Sequence, residues 1–133
     1  MVRAVRGAIR VSEDSRLLIH GASKRLIREM LRANAIAERD LVSIIFSLTE
    51  DLSAGNPATG LRQAGFSSTP LFCVREAAIE GGMQSVIRAL VTWNVPWWRF
   101  YMFWRGSHGR AAVPVYLDGA EALRPDLGVG HPL

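Results

Sequence analysis

The stretch Pro70-Leu71-Phe72-Cys73-Val74-Arg75-Glu76-Ala77-Ala78-Ile79-Glu80-Gly81-Gly82-Met83-Gln84-Ser85-Val86-Ile87-Arg88 decides how this chain is read. Leu71 to Val74 is a short apolar run after a proline, and it reads as a strand that ends in Arg75 and Glu76. The pair Gly81-Gly82 then breaks the pattern. From Met83 the apolar residues Met83, Val86, Ile87, Leu90 and Val91 fall on one stripe with a period of about 3.6 residues, so the spacing predicts a helix. Arg88 lies off that stripe, beside Gln84, Ser85 and Thr92. On spacing alone it could be a solvated helix-face arginine or a functional one, and the choice depends on the rest of the chain.

Length and composition set the bounds. A chain of 133 residues fits a single domain over residues 1–133, able to bury roughly two thirds of its unfolded surface around one core. Cys73 is the one cysteine, which rules out an intramolecular disulfide and a multi-cysteine zinc site, and suits the cytoplasm. Met1 to Arg6 lacks the apolar core of a leader, and no apolar run reaches membrane-spanning length, so a soluble protein without membrane partners is expected. The net charge of +4 and a pI near 10.2 suggest nucleic acid at first sight. The distribution argues against it: Lys24 is the one lysine, the other basic side chains are arginines, and they are scattered instead of blocked. Scattered planar guanidinium forks that converge on folding suit a small carboxylate or phosphate ligand.

The rest of the chain alternates strands and helices. Val2 to Arg6 alternates as a strand, with Val2, Ala4 and Arg6 on one face, and Gly7 to Val11 continues it past a flexible point. Ser12 to Ser15 offers a helix cap, and a helix follows from about Ser15 to Asn34 on the stripe Leu18, Ile19, Ala22, Leu26, Ile27, Met30 and Leu31, with Ser23 on the opposite side. His20 has no ligand partners at useful spacing and reads as a boundary residue. Leu41 to Thr49 is β-branched and almost uncharged, the best candidate for a central strand. A Ser/Gly/Asn/Pro loop leads to a short helix, Ala58 to Ala64, that carries Arg62. The fold class expected is α/β in the broad sense (α+β), a mixed sheet packed with helices.

Two segments stand apart. Residues from about 97 to 113, including Trp97, Trp98, Phe100, Tyr101, Phe103 and Trp104 and then a basic turn-rich stretch, fit neither period and read as an aromatic insert. Val115-Tyr116-Leu117 reads as a strand after it, and the Gly- and Pro-bearing tail from Gly128 as a frayed end.

Taken together, Val2-Arg3-Ala4-Val5-Arg6-Gly7-Ala8, Phe46-Ser47-Leu48-Thr49-Glu50-Asp51-Leu52, Pro70 to Glu76, Val86-Ile87-Arg88, and Val115-Tyr116-Leu117 with Leu123-Arg124-Pro125-Asp126-Leu127 resemble the monofunctional AroH-type chorismate mutases. Each string is weak alone, but five in order along nearly the whole chain are specific. The resemblance implies a homotrimer whose sheets form a pseudo-α/β-barrel, with active sites between neighbouring subunits. It also implies conversion of chorismate to prephenate without cofactor or metal.

The chemistry fits the residues. Chorismate carries two carboxylates and rearranges within itself, so a site needs only to hold a compact conformer and stabilise charge on the ether oxygen. By resemblance, Arg88, matched to a helical arginine, meets that oxygen, Arg6 binds a carboxylate and Glu76 accepts from the ring hydroxyl. Tyr116 donates to a carboxylate, and Phe72, Cys73, Val74 and Arg75 line the pocket, with Cys73 close to the substrate-facing end of Arg88. Arg62 and Arg124 belong at the cleft mouth, with Ala58, Thr59 and Leu123 as further contacts. A nucleophilic role for Cys73 is disfavoured, because no base is placed to activate it. The chain departs from the family pattern at Asn56, where Phe is common, at Thr59, where a basic residue occurs, and at Val113-Pro114, where Arg-His precedes the tyrosine strand. Pro114 therefore has to start a strand or sit at an edge. Two other readings are a trimeric small-metabolite-binding or imine-deaminase-like protein, which would not need Arg6, Glu76 and Arg88 together, and a nucleic-acid-binding protein.

Overall fold

The structure is a computed structural model and describes residues 1–99 and 111–127. Of the expected aromatic insert, Phe100 to Arg110 lie outside the described residues, as does the tail from Gly128. A five-stranded mixed sheet has the order β3-β2-β4-β1-β5, built from β1 (Val2–Arg10), β2 (Leu41–Leu48), β3 (Leu71–Arg75), β4 (Val86–Asn94) and β5 (Val115–Leu117). Strand β4 runs antiparallel to both β1 and β2, and the outer strands β3 and β5 are parallel to β2 and β1.

The helix expected around Arg88 is strand β4, and β4, not β2, is the middle strand. The stripe that suggested a helix also contains a strict alternation, Ile87, Ala89, Val91 and Trp93, and these four side chains are buried on one sheet face. Val, Ile, Thr and Trp favour a pleated surface, and pairing on both sides settles the ambiguity in favour of a strand. Ser85, at φ +58, makes the corner from the glycine-bearing loop into β4.

Among the described residues the two α-helices cover one face only. Helix α1 (Arg16–Ala33) starts at Ser15, whose side chain accepts from the Leu18 amide, and buries Ile19, Leu26, Ile27, Met30 and Leu31. Ser23, expected on the solvent side, is buried and its hydroxyl donates to the His20 carbonyl at 2.9 Å, while Leu18 is partly exposed. Strand β1 is continuous through Gly7, which serves close packing and is not a flexible point. A Cβ there would stand 2.5 Å from the Met30 sulfur, so glycine lets α1 settle onto the sheet. Helix α2 (Pro57–Gln63) packs against α1 and beside β3. Asn56, the departure before Pro57, caps α2 by accepting from the Ala58 amide at 2.9 Å.

The opposite face has no α-helix on it among the described residues; the 3-10 turn Ala120–Leu123 covers only its β1–β5 end, over Ala8, Val86 and Tyr116. Ile45, Phe72, Val74 and Leu90 point to this face and are between 39% and 65% exposed. Pro114 leads directly into β5 at the sheet edge, where a missing N–H costs least.

Candidate active site

Strand register assembles the site. On the open face, Arg88 of β4 stands opposite Ala8 of β1 on one side and Ser47 of β2 on the other. Leu90 stands opposite Arg6, and Tyr116 of β5 opposite Ala8. Period-two alternation therefore brings Arg6, Arg88 and Tyr116 to one face from three strands that are distant in sequence. They border a cleft of about 250 Å³, with Leu123 and Arg124 from the segment after β5 and with Ile45, Ser47 and Leu90 on the sheet. Gly7 and Ala8 of β1 also line the cleft, and Ala8 is the small side chain on this face between Arg88 and Tyr116.

Glu76, just past the end of β3, stands beside Arg88 and lines the depression next to this cleft. Its amide donates to the Leu48 carbonyl at 2.8 Å and extends the ladder one step, so Glu76 projects to the same face as Val74. Its Oε2 accepts from the Ser47 hydroxyl and lies 3.6 Å from Nε of Arg88. Arg88 also borders a second, wider depression beneath the 77–84 loop, with Glu50, Asp51 and Glu80 at its rim. Its side chain is 48% exposed, which leaves its charge partly screened in a single chain.

Arg124 is held at the cleft margin by Asp126, with Nε to Oδ1 at 3.1 Å and Nη2 to Oδ2 at 2.9 Å. That two-pronged contact, with the guanidinium charge, holds the Asp126 carboxyl below the usual carboxylate range.

The remaining expected site residues lie elsewhere on the chain. Cys73 pairs with Phe46, so it faces the helix-covered side and packs on the core, not beside Arg88. Burial pushes its thiol up, which opposes a thiolate. Phe72 and Val74 lie on the open face at edge strand β3, and Arg75 reaches the Glu50 carbonyl. Ala58, Thr59 and Arg62 are on α2, on the covered side. The single chain thus carries two groups of site residues, one around Arg88 and one along the α2 and β3 edge. Ala8, Ile45, Ser47 and Leu90 line the cleft without having been singled out in the sequence. The signal for Ser47 was present, as a hydroxyl in the middle of the otherwise apolar run Ile44 to Leu48.

Comparison with known proteins follows the same lines. The family model described as chorismate mutase type I matches residues 2–127. The Thermus thermophilus protein named Chorismate mutase AroH is 41% identical over 128 residues, covering 96% of this chain and 97% of that one. Its namesake from Bacillus subtilis (strain 168) is 31% identical over 132 residues, covering 97% and 94%. The solved chorismate mutase from Clostridium thermocellum, Cth-682, superposes with a TM-score of 0.78 at 32% identity over 90% of this chain and 98% of its own.

Proposed function

Because this chain belongs to the chorismate mutase type I family, we propose that it is an isomerase that converts chorismate to prephenate, the branch step toward phenylalanine and tyrosine. The observation that carries the reading is the meeting of Arg6, Arg88 and Arg124 with Tyr116 at one cleft, with a carboxylate, Glu76, beside Arg88. A dianion with one hydroxyl matches that set of groups.

The reaction breaks the ether C–O bond as a C–C bond forms, and the electrons move within the substrate ring and side chain. No group leaves and no covalent intermediate with the protein is needed. Arg6 and Tyr116 hold carboxylates and select the compact conformer in which the bonding carbons approach. Arg88 donates to the ether oxygen as negative charge gathers there, and a guanidinium stays protonated at any working pH. Glu76 accepts from the ring hydroxyl and orients the Arg88 fork. Arg124 attracts the dianion at the margin.

The working form in this reading is a homotrimer. A sheet with one face covered by helices and the other lined with Ile45, Phe72, Val74 and Leu90 needs a partner for that face. The 250 Å³ cleft also falls short of the roughly 300–1,000 Å³ of sites that enclose a small ligand. A neighbouring copy would bring the open-face edge at Phe72 and Val74 and the α2 residues Thr59 and Arg62 over the cleft and desolvate Arg88, whereas the Ala58 and Cys73 side chains are taken up by the copy's own core. The chain acts as one domain in the cytoplasm, and no helix among the described residues is long and apolar enough to cross a membrane. A metabolite-binding protein of similar architecture would have no use for Arg6, Glu76 and Arg88 together. The test is direct: purified protein is mixed with chorismate, and its absorbance is followed while prephenate is assayed. Loss of chorismate no faster than in buffer would defeat the proposal.

A further inference from the structure

Among the described polar groups of the open face, Ser47 is the one that touches the charged pair without a part in the proposed chemistry. Ser47 sits on β2 directly opposite Arg88 on β4 and Val74 on β3, between the two strands that carry the charged pair. Its hydroxyl donates to Oε2 of Glu76, the same oxygen that lies 3.6 Å from Nε of Arg88. Glu76 stands just beyond the end of β3, where its backbone is fixed by one ladder bond to Leu48. A glutamate side chain at a strand end has three free torsions, and a half-exposed ion pair alone does little to fix them. A second donor on the same oxygen does. With Oε2 engaged by Ser47 and facing Arg88, Oε1 is the carboxylate oxygen that neither of these contacts uses.

We infer that Ser47 is a positioning residue for the rearrangement: its hydroxyl fixes the Glu76 carboxylate so that one oxygen orients Arg88 and the other meets the substrate hydroxyl. The inference rests on the chorismate reading above. Because the lost hydrogen bond is one to a charged group, Ser47→Ala should lower kcat/KM by roughly tenfold to a hundredfold. The strand should tolerate the change, because Ser47 is half-buried on the open face and the core-facing neighbours Phe46 and Leu48 remain.

The experiment is a double-mutant cycle on the full chain, with Ser47→Ala, Glu76→Ala and the double variant assayed for kcat and KM, alongside thermal melting. Ser47→Thr keeps the hydroxyl and should restore most of the lost activity. Ser47→Cys, close in volume but a weak donor, serves the cycle if Ser47→Ala melts early. In the Glu76→Ala background the loss of the serine hydroxyl should cost nothing further. Equal losses in both backgrounds, or normal kcat/KM in folded Ser47→Ala, would overturn the inference while leaving the activity standing. A wild-type protein that does not rearrange chorismate would overturn both.

Discussion

Ala8 and Arg88 are direct cross-strand partners, and Ala8 is also the partner of Tyr116 on its other side. Arg88, Ala8 and Tyr116 therefore form one cross-strand row over three neighbouring strands, with the Ala8 methyl in the middle. Ala8 is 1% exposed and packs with Val86, Tyr116 and Ala120 on the cleft lining. Ala8→Val should crowd the lining where the ligand sits. We expect kcat/KM to fall by on the order of tenfold or more, with an overpacking cost of about 1–3 kcal/mol. Steady-state kinetics with a urea melt separates the two effects, and an unchanged KM and kcat would put the ligand away from the row from Arg88 to Tyr116.

Arg88→Ala should leave the protein folded. The strand keeps its buried side, Ile87, Ala89, Val91 and Trp93, and loses only a half-exposed side chain from the other. Donors aimed at a developing oxyanion are worth about 3–4 kcal/mol, so turnover at saturating chorismate should fall by at least on the order of a hundredfold. Arg88→Lys should recover little, since an ammonium lacks the planar fork. Near-normal turnover in Arg88→Ala would remove the mechanism even if the protein still converted chorismate.

Arg88 also shows what the sequence could convey. Its choice as the candidate functional arginine rests on a resemblance that spans the chain, whereas the helix that local spacing predicts around it is a strand. Met83, Val86, Ile87, Leu90 and Val91 satisfy a helical stripe, but Ile87, Ala89, Val91 and Trp93 satisfy a strand equally well, and partners on β1 and β2 that no local window contains decide between them. Helix α1, by contrast, was legible because its cap and long apolar stripe are local. The placement of Arg6 on the open face followed from alternation, while the role of Ser47 depends on a cross-strand neighbour two elements away.

Assembly is open to a simple measurement. If the open face joins three copies, the protein should sediment as a trimer. Phe72→Asp, which places a charge on an apolar side chain that is 65% exposed, should yield monomers with little activity and an unchanged far-UV spectrum. A stable, fully active monomer would rule out the site between subunits.

The aromatic insert is flanked by fixed ends. Asn34, at the end of α1, donates to the Val113 carbonyl at 2.9 Å and accepts from the Val113 amide at 2.6 Å, while Arg99 donates to the Ala35 carbonyl. The Asn34 pair orients the chain just before β5, independently of what lies between. Replacing Trp97 to Gly109 with a short linker removes the Arg99 bond but keeps the Asn34–Val113 pair, and should therefore leave a soluble and active protein. Asn34→Ala should cost about 1–2 kcal/mol and weaken β5, with Tyr116, in hydrogen exchange. Loss of the trimer on deletion would instead make the insert an assembly element.

Acid stability should depend on Asp51. Its carboxylate accepts from the Ser85 amide at 3.1 Å and from the Ser85 hydroxyl at 2.6 Å, and so holds the φ +58 corner from which β4 and Arg88 start. Burial pushes this carboxyl up, but the bonds from Ser85 and Thr49 outweigh it, and the folded value is lowered. An unfolded aspartate titrates near about 3.9, so below that pH the unfolded chain takes up the proton before the folded one does. Stability from Asp51 is thus fully present above about pH 4 and lost as pH falls through the folded value. Asp51→Asn should melt lower than wild type at pH 7, and the gap should close as the pH is taken below about 4. A gap that stayed constant across that range would mean that the carboxylate charge contributes nothing to holding the corner.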